Sequence, residues 1–409
     1  MCTAPFYLSP VQATPLGAIA ALFLRLGATA FGGPAAHVAL MEDEVVRRRQ
    51  WLTREEFLDL VGASQLIPGP NSTELAIHIG YARAGWLGLL VAGACFILPA
   101  VAIVWIVAWG YVAYGALPQM DGVLAGVKPV VLAVVAQALW GFSRSALSSA
   151  MTLAVAVTAG VALVLGVHEF VVLIAAAAIT ILDARVTRGG NLWERPIGSI
   201  AAPLVIDASR GASSAKLGLS ASGLFVTTAA IPVAAAFSLG QLFLVFLKAG
   251  GLLFGSGYVL LAFLRTDLVV RLGWLTESQL LDAIAVGQFT PGPVFTTATF
   301  VGYLLGGNAG ALLATVGIFL PAFVFVALTA PVLARLRTNA TLRAALDGLN
   351  AASLALMAVV CMPLAVQAFA RPALAVPLFI AAFVALVHWR VNSAWLVLSG
   401  AVIGLIAGG

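Results

Sequence analysis

A short uncharged phrase occurs twice in this chain. Pro68-Gly69-Pro70-Asn71-Ser72-Thr73 returns 223 positions later as Pro291-Gly292-Pro293-Val294-Phe295-Thr296. At the same offset Phe31-Gly32 returns as Phe254-Gly255, Trp51-Leu52-Thr53 as Trp274-Leu275-Thr276, Gln65 as Gln288 and Arg25 as Lys248. After a one-residue slip the register continues at 222, pairing Gly80-Tyr81 with Gly302-Tyr303 and Pro99 with Pro321. The chain is two copies of one apolar unit, each interrupted by Gly and Pro where an ordinary span would continue. Paired broken segments in a duplicated membrane protein point to a transport site.

Only 9% of the 409 residues are charged, 62% are hydrophobic, and mean hydropathy is +1.07. A soluble fold needs roughly a quarter charged residues. Uncharged runs such as 283–334 and 391–409 approach or exceed the ~20 residues that span hydrocarbon. Met1 to Thr14 carry no Lys or Arg, so no signal peptide is expected there. The net charge of +5 is assigned to basic membrane loops, not to a nucleic-acid surface. Cys2, Cys95 and Cys361 stand singly, which argues against a disulfide framework and a zinc site.

These features predict a first repeat at 1–183, a basic linker and connector at 184–236, and a second repeat at 237–409. The linker carries Arg185, Arg188, Arg195, Arg210 and Lys216. Its apolar end, 217–236, reads as an interfacial or partly helical connector. Within each repeat a first span (15–34; 237–257) runs into a Gly-rich break, and a polar loop follows. Thr53 with Glu56, and Thr276 with Gln279, have the spacing of a capping box, so a helix should start after each threonine. That helix must stop at Pro-Gly-Pro, because each proline removes a donor and clashes with the preceding turn. A half-helix (71–82; 294–305) and four longer apolar stretches complete each repeat.

Charge decides the expected topology. If helix-PGP-helix is a re-entrant hairpin, each half crosses five times and the second copy starts on the opposite side. Placing Arg47-Arg48-Arg49 in the cytoplasm then puts Arg54, Arg83, Arg144, the linker cations, Arg335, Arg337, Arg343 and Arg390 there too. Only Lys128, Arg265, Arg271 and Arg371 fall outside, as the positive-inside rule requires. Full spanning by the hairpin would separate the Arg triplet from the basic linker. The expected fold is an all-α polytopic membrane protein: two inverted-topology repeats, about 10 transmembrane helices and two re-entrant hairpins.

Chemistry concentrates at the breaks. Proline in the first turn of a helix leaves free amides behind it. Two such helix starts, flanked by Asn71, Ser72 and Thr73 and by Thr296 and Thr297, make an anion site. The alternative is a pair of packing kinks whose hydroxyls satisfy local carbonyls. Arg25 and Lys248 are matched cations in apolar spans, where a charge is functional or paired, or snorkels to an interface. Together they could balance a dianion. Gln65 and Gln288 could donate amide hydrogens to an oxyanion or cap freed carbonyls. Glu74 and His78 share one helix face. They could carry protons or gate the site, or form a surface pair at the membrane boundary. His37, His168 and His388 lack metal-ligand spacing, and no cofactor is called for.

The strings PGPNSTELAIHIGY (68–81), FGGPAAH (31–37), GSGYVLLAFL (255–264) and QLLDAIAVGQFTPGPVFTTATFVGY (279–303) resemble the chromate ion transporter family. The likeness covers both halves, as in its long two-domain form. It implies a secondary transporter in the bacterial inner membrane that exports chromate and gives chromate resistance. Sulfate is the structural analogue, lipid the surroundings, and a homodimer an open arrangement. The matched breaks add Gly32, Gly33, Pro68, Gly69, Pro70, Gly255, Pro291, Gly292 and Pro293 to the candidate substrate-binding residues, with the polar residues and cations above. A dianion leaving a negative cell gains about 4.6 kcal/mol per 100 mV, twice the single-charge value. No Walker-type loop is present, and export needs none. A different anion, a channel-like protein or an intramembrane enzyme are the competing readings. The last lacks clustered His and carboxylates and a domain for a nucleotide or flavin.

Overall fold

The computed structural model describes residues 14–31, 33–114, 118–187, 237–253, 259–332, 340–389 and 391–408. Gly32, Gly255, the linker beyond Thr187 and the 217–236 connector lie outside them, as do Arg335, Arg337 and Arg390. Among the described residues all regular structure is helical. In chain order the α-helices are α1 (Leu16–Thr29), α2 (Gly33–Glu42), α3 (Arg54–Ser64), α4 (Asn71–Tyr114), α5 (Pro118–Ala146), α6 (Ala150–Val164) and α7 (Glu169–Thr187). The second half has α8 (Leu239–Leu252), α9 (Leu260–Leu264), α10 (Glu277–Phe289), α11 (Thr297–Thr329), α12 (Ala340–Ala368), α13 (Pro372–Val387) and α14 (Ser393–Gly408). Among the described residues four segments are long and apolar enough to cross a membrane: Asn71–Tyr114, Asp121–Ala146, Val294–Thr329 and Ala340–Ala368. The chain is a polytopic, all-helical membrane protein.

Backbone geometry repeats as the sequence does. Both capping boxes form: Thr53 N–H donates to Glu56 Oε2 at 2.7 Å and Thr276 N–H to Gln279 Oε1 at 2.9 Å, while each hydroxyl accepts the return amide. Helix α4 breaks at Ala84 (φ −146, ψ 24) and Gly85 (φ 59, ψ −144). Helix α11 breaks at Gly306 (φ −140, ψ 21) and Gly307 (φ 57, ψ −144), 222 positions later. Positive φ at the second residue of each break favours the glycine found there. Each bend folds the half-helix back along the following span, with Gly80 against Gly88 and Gly302 against Gly310. Helix α1 crosses α4 where Gly27 meets the Phe96 carbonyl, and α8 crosses α11 where Gly250 meets that of Ile318. Small residues let the backbones touch at both crossings, the usual basis of helix association in lipid.

One expectation is corrected. The segment before each Trp-Leu-Thr is not a loop: in the first half α2 runs into a π-helical turn, Asp43–Arg48, and in the second α9 runs into Arg265–Arg271. Each closes with an i−5 bond, Arg49 N–H to the Glu44 carbonyl and Leu272 N–H to that of Asp267, both 2.9 Å. Dense charge hid the helical period, and the widened turn brings one acid of each segment back onto the first span.

Two main apolar clusters support the breaks. One joins α1, α3 and α4 through Ile19, Phe23, Phe57, Leu60, Leu75 and Phe96. The larger one unites α8 to α12 with α5. Between α4 and α11, Ile77 and Leu89 meet Ala322 and Val326. The two half-helices therefore lie in one protein interior.

Candidate functional site

Each Pro-Gly-Pro turn is bonded to the broken first span of the other half. Gly69 N–H donates to the Leu253 carbonyl at 2.7 Å, just past the end of α8. Gly292 N–H donates to the Ala30 carbonyl at 2.9 Å, just past the end of α1. Donors and acceptors correspond at the repeat offset, so two equivalent bonds cross between the halves. Both glycines hold positive φ, +138° at Gly69 and +83° at Gly292. A side chain at Gly292 would strike Ala100 and the Gly27 carbonyl. Each turn thus hands the chain into a helix start, where the Thr73 amide donates to the Pro70 carbonyl at 2.7 Å and the Thr296 amide to that of Pro293 at 3.0 Å.

The side chains behind the turns are buried: Ser72, Thr73, Glu74 and His78 in the first half, Thr296 and Thr297 in the second. Their hydrogen bonds differ. Thr296 and Thr297 donate to the carbonyls of Pro293 and Val294, each at 2.8 Å, so the local-carbonyl alternative holds for these two hydroxyls. Thr73 Oγ1, both Glu74 oxygens and His78 Nε2 are buried without a hydrogen-bond partner. Burial of Glu74 and His78 removes the surface-pair alternative. Asn71 is half-buried, and Gly33, beside the first break, has φ +76°. Gln288 is buried, whereas its match Gln65 is exposed. Gly32 and Gly255 belong to the undescribed segments.

Arg25 and Lys248 are both engaged by carboxylates. Arg25 pairs with Glu44 at 2.5 Å, and Arg48 reaches the same carboxylate at 3.4 Å. Lys248 pairs with Asp267 at 2.6 Å, and Arg271 joins it at 3.1 Å. Every member matches at offset 223, giving two equivalent cation–carboxylate–cation triads, the first extended by Arg49 on Glu44 at 3.3 Å and by Asp43 on Arg48 at 2.7 Å. Burial pushes the Glu44 carboxyl up, but hydrogen bonds from Arg25 and Arg49 and the charges of Arg25 and Arg48 outweigh it. The group sits below the ordinary carboxylate range. Glu44 and Asp267 are site-bordering residues that pattern reading missed, although the repeat offset alone would have found them.

A further polar cluster joins the second hairpin to helices of the first half. Asp282 of α10 accepts the Tyr111 hydroxyl at 2.8 Å and pairs with Lys128 of α5 at 3.4 Å, and Lys128 donates to Ser278 at 2.7 Å. It ties the second hairpin to α4 and α5. Among the described residues no group of His, Cys, Asp and Glu has the arrangement of a metal site.

Comparison with known proteins agrees with this architecture. The family described as Chromate transporter matches residues 17–181 and 240–405, both repeats. The chain is 29% identical over 392 residues to the chromate transport protein of Cupriavidus metallidurans, covering 94% of this chain and 91% of that one. It is 32% identical over 393 residues to the chromate transport protein of Pseudomonas aeruginosa, covering 90% and 86%. It is 31% identical over 333 residues to a probable chromate transport protein of Synechococcus elongatus, covering 81% and 80%. No solved structure matches the chain.

Proposed function

This chain belongs to the chromate transporter family, and from that premise we propose that it exports chromate from the bacterial cytoplasm across the inner membrane, conferring chromate resistance. The single observation that carries the site assignment is the pair of crossed bonds from Gly69 to Leu253 and from Gly292 to Ala30. They hold two helix starts inside one protein, each behind a proline, with Ser72, Thr73, Thr296 and Thr297 buried beside them. A tetrahedral dianion with four acceptor oxygens lies between the turns. It takes its donors from the amides and hydroxyls of 71–73 and 294–297 that backbone carbonyls leave available, and Gln288 borders it. The triads of Arg25 and Lys248 add net positive charge. The chain's relatives are named chromate transport proteins, so the protein is a transporter and not an enzyme. Membrane potential drives the anion outward.

The domains are the two repeats, 1–183 and 237–409, joined through 184–236. They are inverted in topology, with the helix-PGP-helix segments re-entrant within about ten spanning helices. Sulfate, isosteric and equally charged, is the competing substrate.

Purified protein in liposomes, assayed with labelled chromate and labelled sulfate, tests the function. Saturable chromate flux that sulfate inhibits is expected; sulfate flux alone would replace the substrate. Arg49→Cys and Arg271→Cys, made in a background without native cysteines, test the topology. Labelling of both from one side of the membrane would end the inverted arrangement.

A further inference from the structure

A cavity of about 570 Å³ opens beside the first break, lined by Phe31, Gln137, Trp140, Arg144, Asn392 and Ser393 among others. It adjoins the candidate site through the backbone: Phe31 follows Ala30, whose carbonyl takes the Gly292 amide of the second turn. The polar part of its lining, set among apolar side chains such as Val134, Leu386 and Val391, suits an anion. Arg144 sits 5.4 Å over the Trp140 ring, and among the described residues no carboxylate pairs with it. The Asn392 side-chain oxygen already accepts the Ala394 amide at 2.9 Å, which leaves its NH₂ as a donor. Gln137 adds a second amide.

Repeat symmetry shows that this lining is not inherited. Helices α5 and α12 correspond at a constant offset of 222, from Pro118 and Ala340 to Ala146 and Ala368. At that offset Gln137, Trp140 and Arg144 become Val359, Met362 and Val366. Asn392 corresponds to His168, since His168 Nδ1 likewise accepts the amide two residues on, from Phe170 at 3.3 Å. Ser393 then corresponds to Glu169, a buried carboxylate. At these positions one end of the protein offers Arg144 and amides, and the equivalent end offers valines, His168 and the acid, with Lys248 4.7 Å over the neighbouring Phe170 ring. An anion is attracted to the first and disfavoured at the second.

We propose that this cavity is a second oxyanion site, a loading vestibule in which Arg144, Gln137 and Asn392 hold a tetrahedral dianion before it reaches the Pro291–Pro293 turn. The proposal rests on the oxyanion-transport reading above and adds its direction: loading occurs from the Arg144 end. Symmetric positions make a gain-of-function arm available, because Val366→Arg places a matching cation at the other end.

Chromate flux into and out of liposomes, with the protein's orientation known, is the test. Arg144→Gln should raise the half-saturating chromate concentration for loading from its own side by about tenfold or more, the scale of one charge-assisted hydrogen bond. Maximal flux should stay within about twofold, and the salt dependence of loading should flatten. Gln137→Leu should act in the same direction more weakly, Arg144→Lys should restore most of the loss, and Val366→Arg should improve loading from the opposite side. If wild type carries chromate and the Arg144→Gln and Gln137→Leu proteins load as it does, Arg144 merely anchors the helix at the interface and the vestibule falls alone. If wild type carries neither chromate nor sulfate, the transport reading fails and the vestibule with it.

Discussion

The two hairpins that carry the Pro-Gly-Pro turns share a backbone but not a setting. Helix α10 is enclosed by α5, α11, α12 and α14, whereas α3 makes its principal contacts with α4 and α2. Matched residues record the difference: Leu58 is 52% exposed and Leu281 is 2% exposed. Lys128 and Tyr111 lock α10 through Asp282. The residue matching Lys128 in the other half is Asn350, and the residue matching Asp282 is Asp59, which is only half-buried. Even a bridge that survives in both halves has its poles exchanged, Glu42 with Arg54 against Arg265 with Glu277. Duplication conserved the bends and let the charges and the docking diverge. The second hairpin is the closed one of the pair.

The largest test of this comparison removes the feature that the hairpins share. Pro70→Ala and Pro293→Ala each let a helix extend backward and consume its leading amides. Losing about two charge-assisted hydrogen bonds should cut chromate flux by a factor on the order of 100 or more in either variant. Loss in only one would mean that a single turn binds substrate. Next, Lys128→Asn copies the second-half residue at position 350 into its matching first-half position. It leaves the buried Asp282 carboxylate without its cation, which should cost about 3–5 kcal/mol in unfolding experiments. Maleimide labelling of Leu281→Cys, initially far slower than that of Leu58→Cys, should then accelerate. An unchanged labelling gap would show that packing alone closes α10.

Glycine substitutions separate the turns by a smaller margin. Gly292→Ala meets Ala100 and the Gly27 carbonyl, while Gly69→Ala meets the end of the Glu74 side chain, which can swing away. Both carry the roughly 1–3 kcal/mol of a positive-φ side chain. Gly292→Ala should therefore show the larger fall in melting temperature. Smallest are the hydroxyl changes. Thr73→Val removes a buried hydroxyl that has no partner, so it should stabilise the ligand-free protein by about 1 kcal/mol while weakening chromate binding. Thr296→Val should change the half-saturating concentration less than Ser72→Ala does, because the Thr296 hydroxyl already donates to Pro293.

Much of this fold was legible in the residues. Capping boxes at Thr53 and Thr276, the stops at Pro-Gly-Pro and the apolar stretches all appear where local chemistry places them. These are short-range effects that a single segment determines. The π-helical turns were not legible, because Asp43-Glu44 and Arg47-Arg48-Arg49 read as a solvated loop until Arg25 is brought alongside. Glu74 and His78 share a face in any helix, but whether that face meets water depends on the other half of the chain. The site was legible as a backbone pattern and illegible as a set of hydrogen bonds. A hydroxyl such as that of Thr296 can serve a ligand or its own carbonyl, and sequence does not choose between them.

The crossed bonds at Ala30 and Leu253 also bear on how the protein is made. During synthesis the first repeat enters the membrane before the partner for its own turn exists. Gly69 must wait for Leu253, and Ala30 for Gly292, so each half remains unfinished until the other has arrived. A polar backbone group left unmet at that depth costs several kcal/mol. A chain truncated after the first repeat would therefore be a substrate for quality-control proteolysis, unless a separate copy inserted upside down beside it. The two repeats supplied as separate chains should therefore still assemble into a working pair.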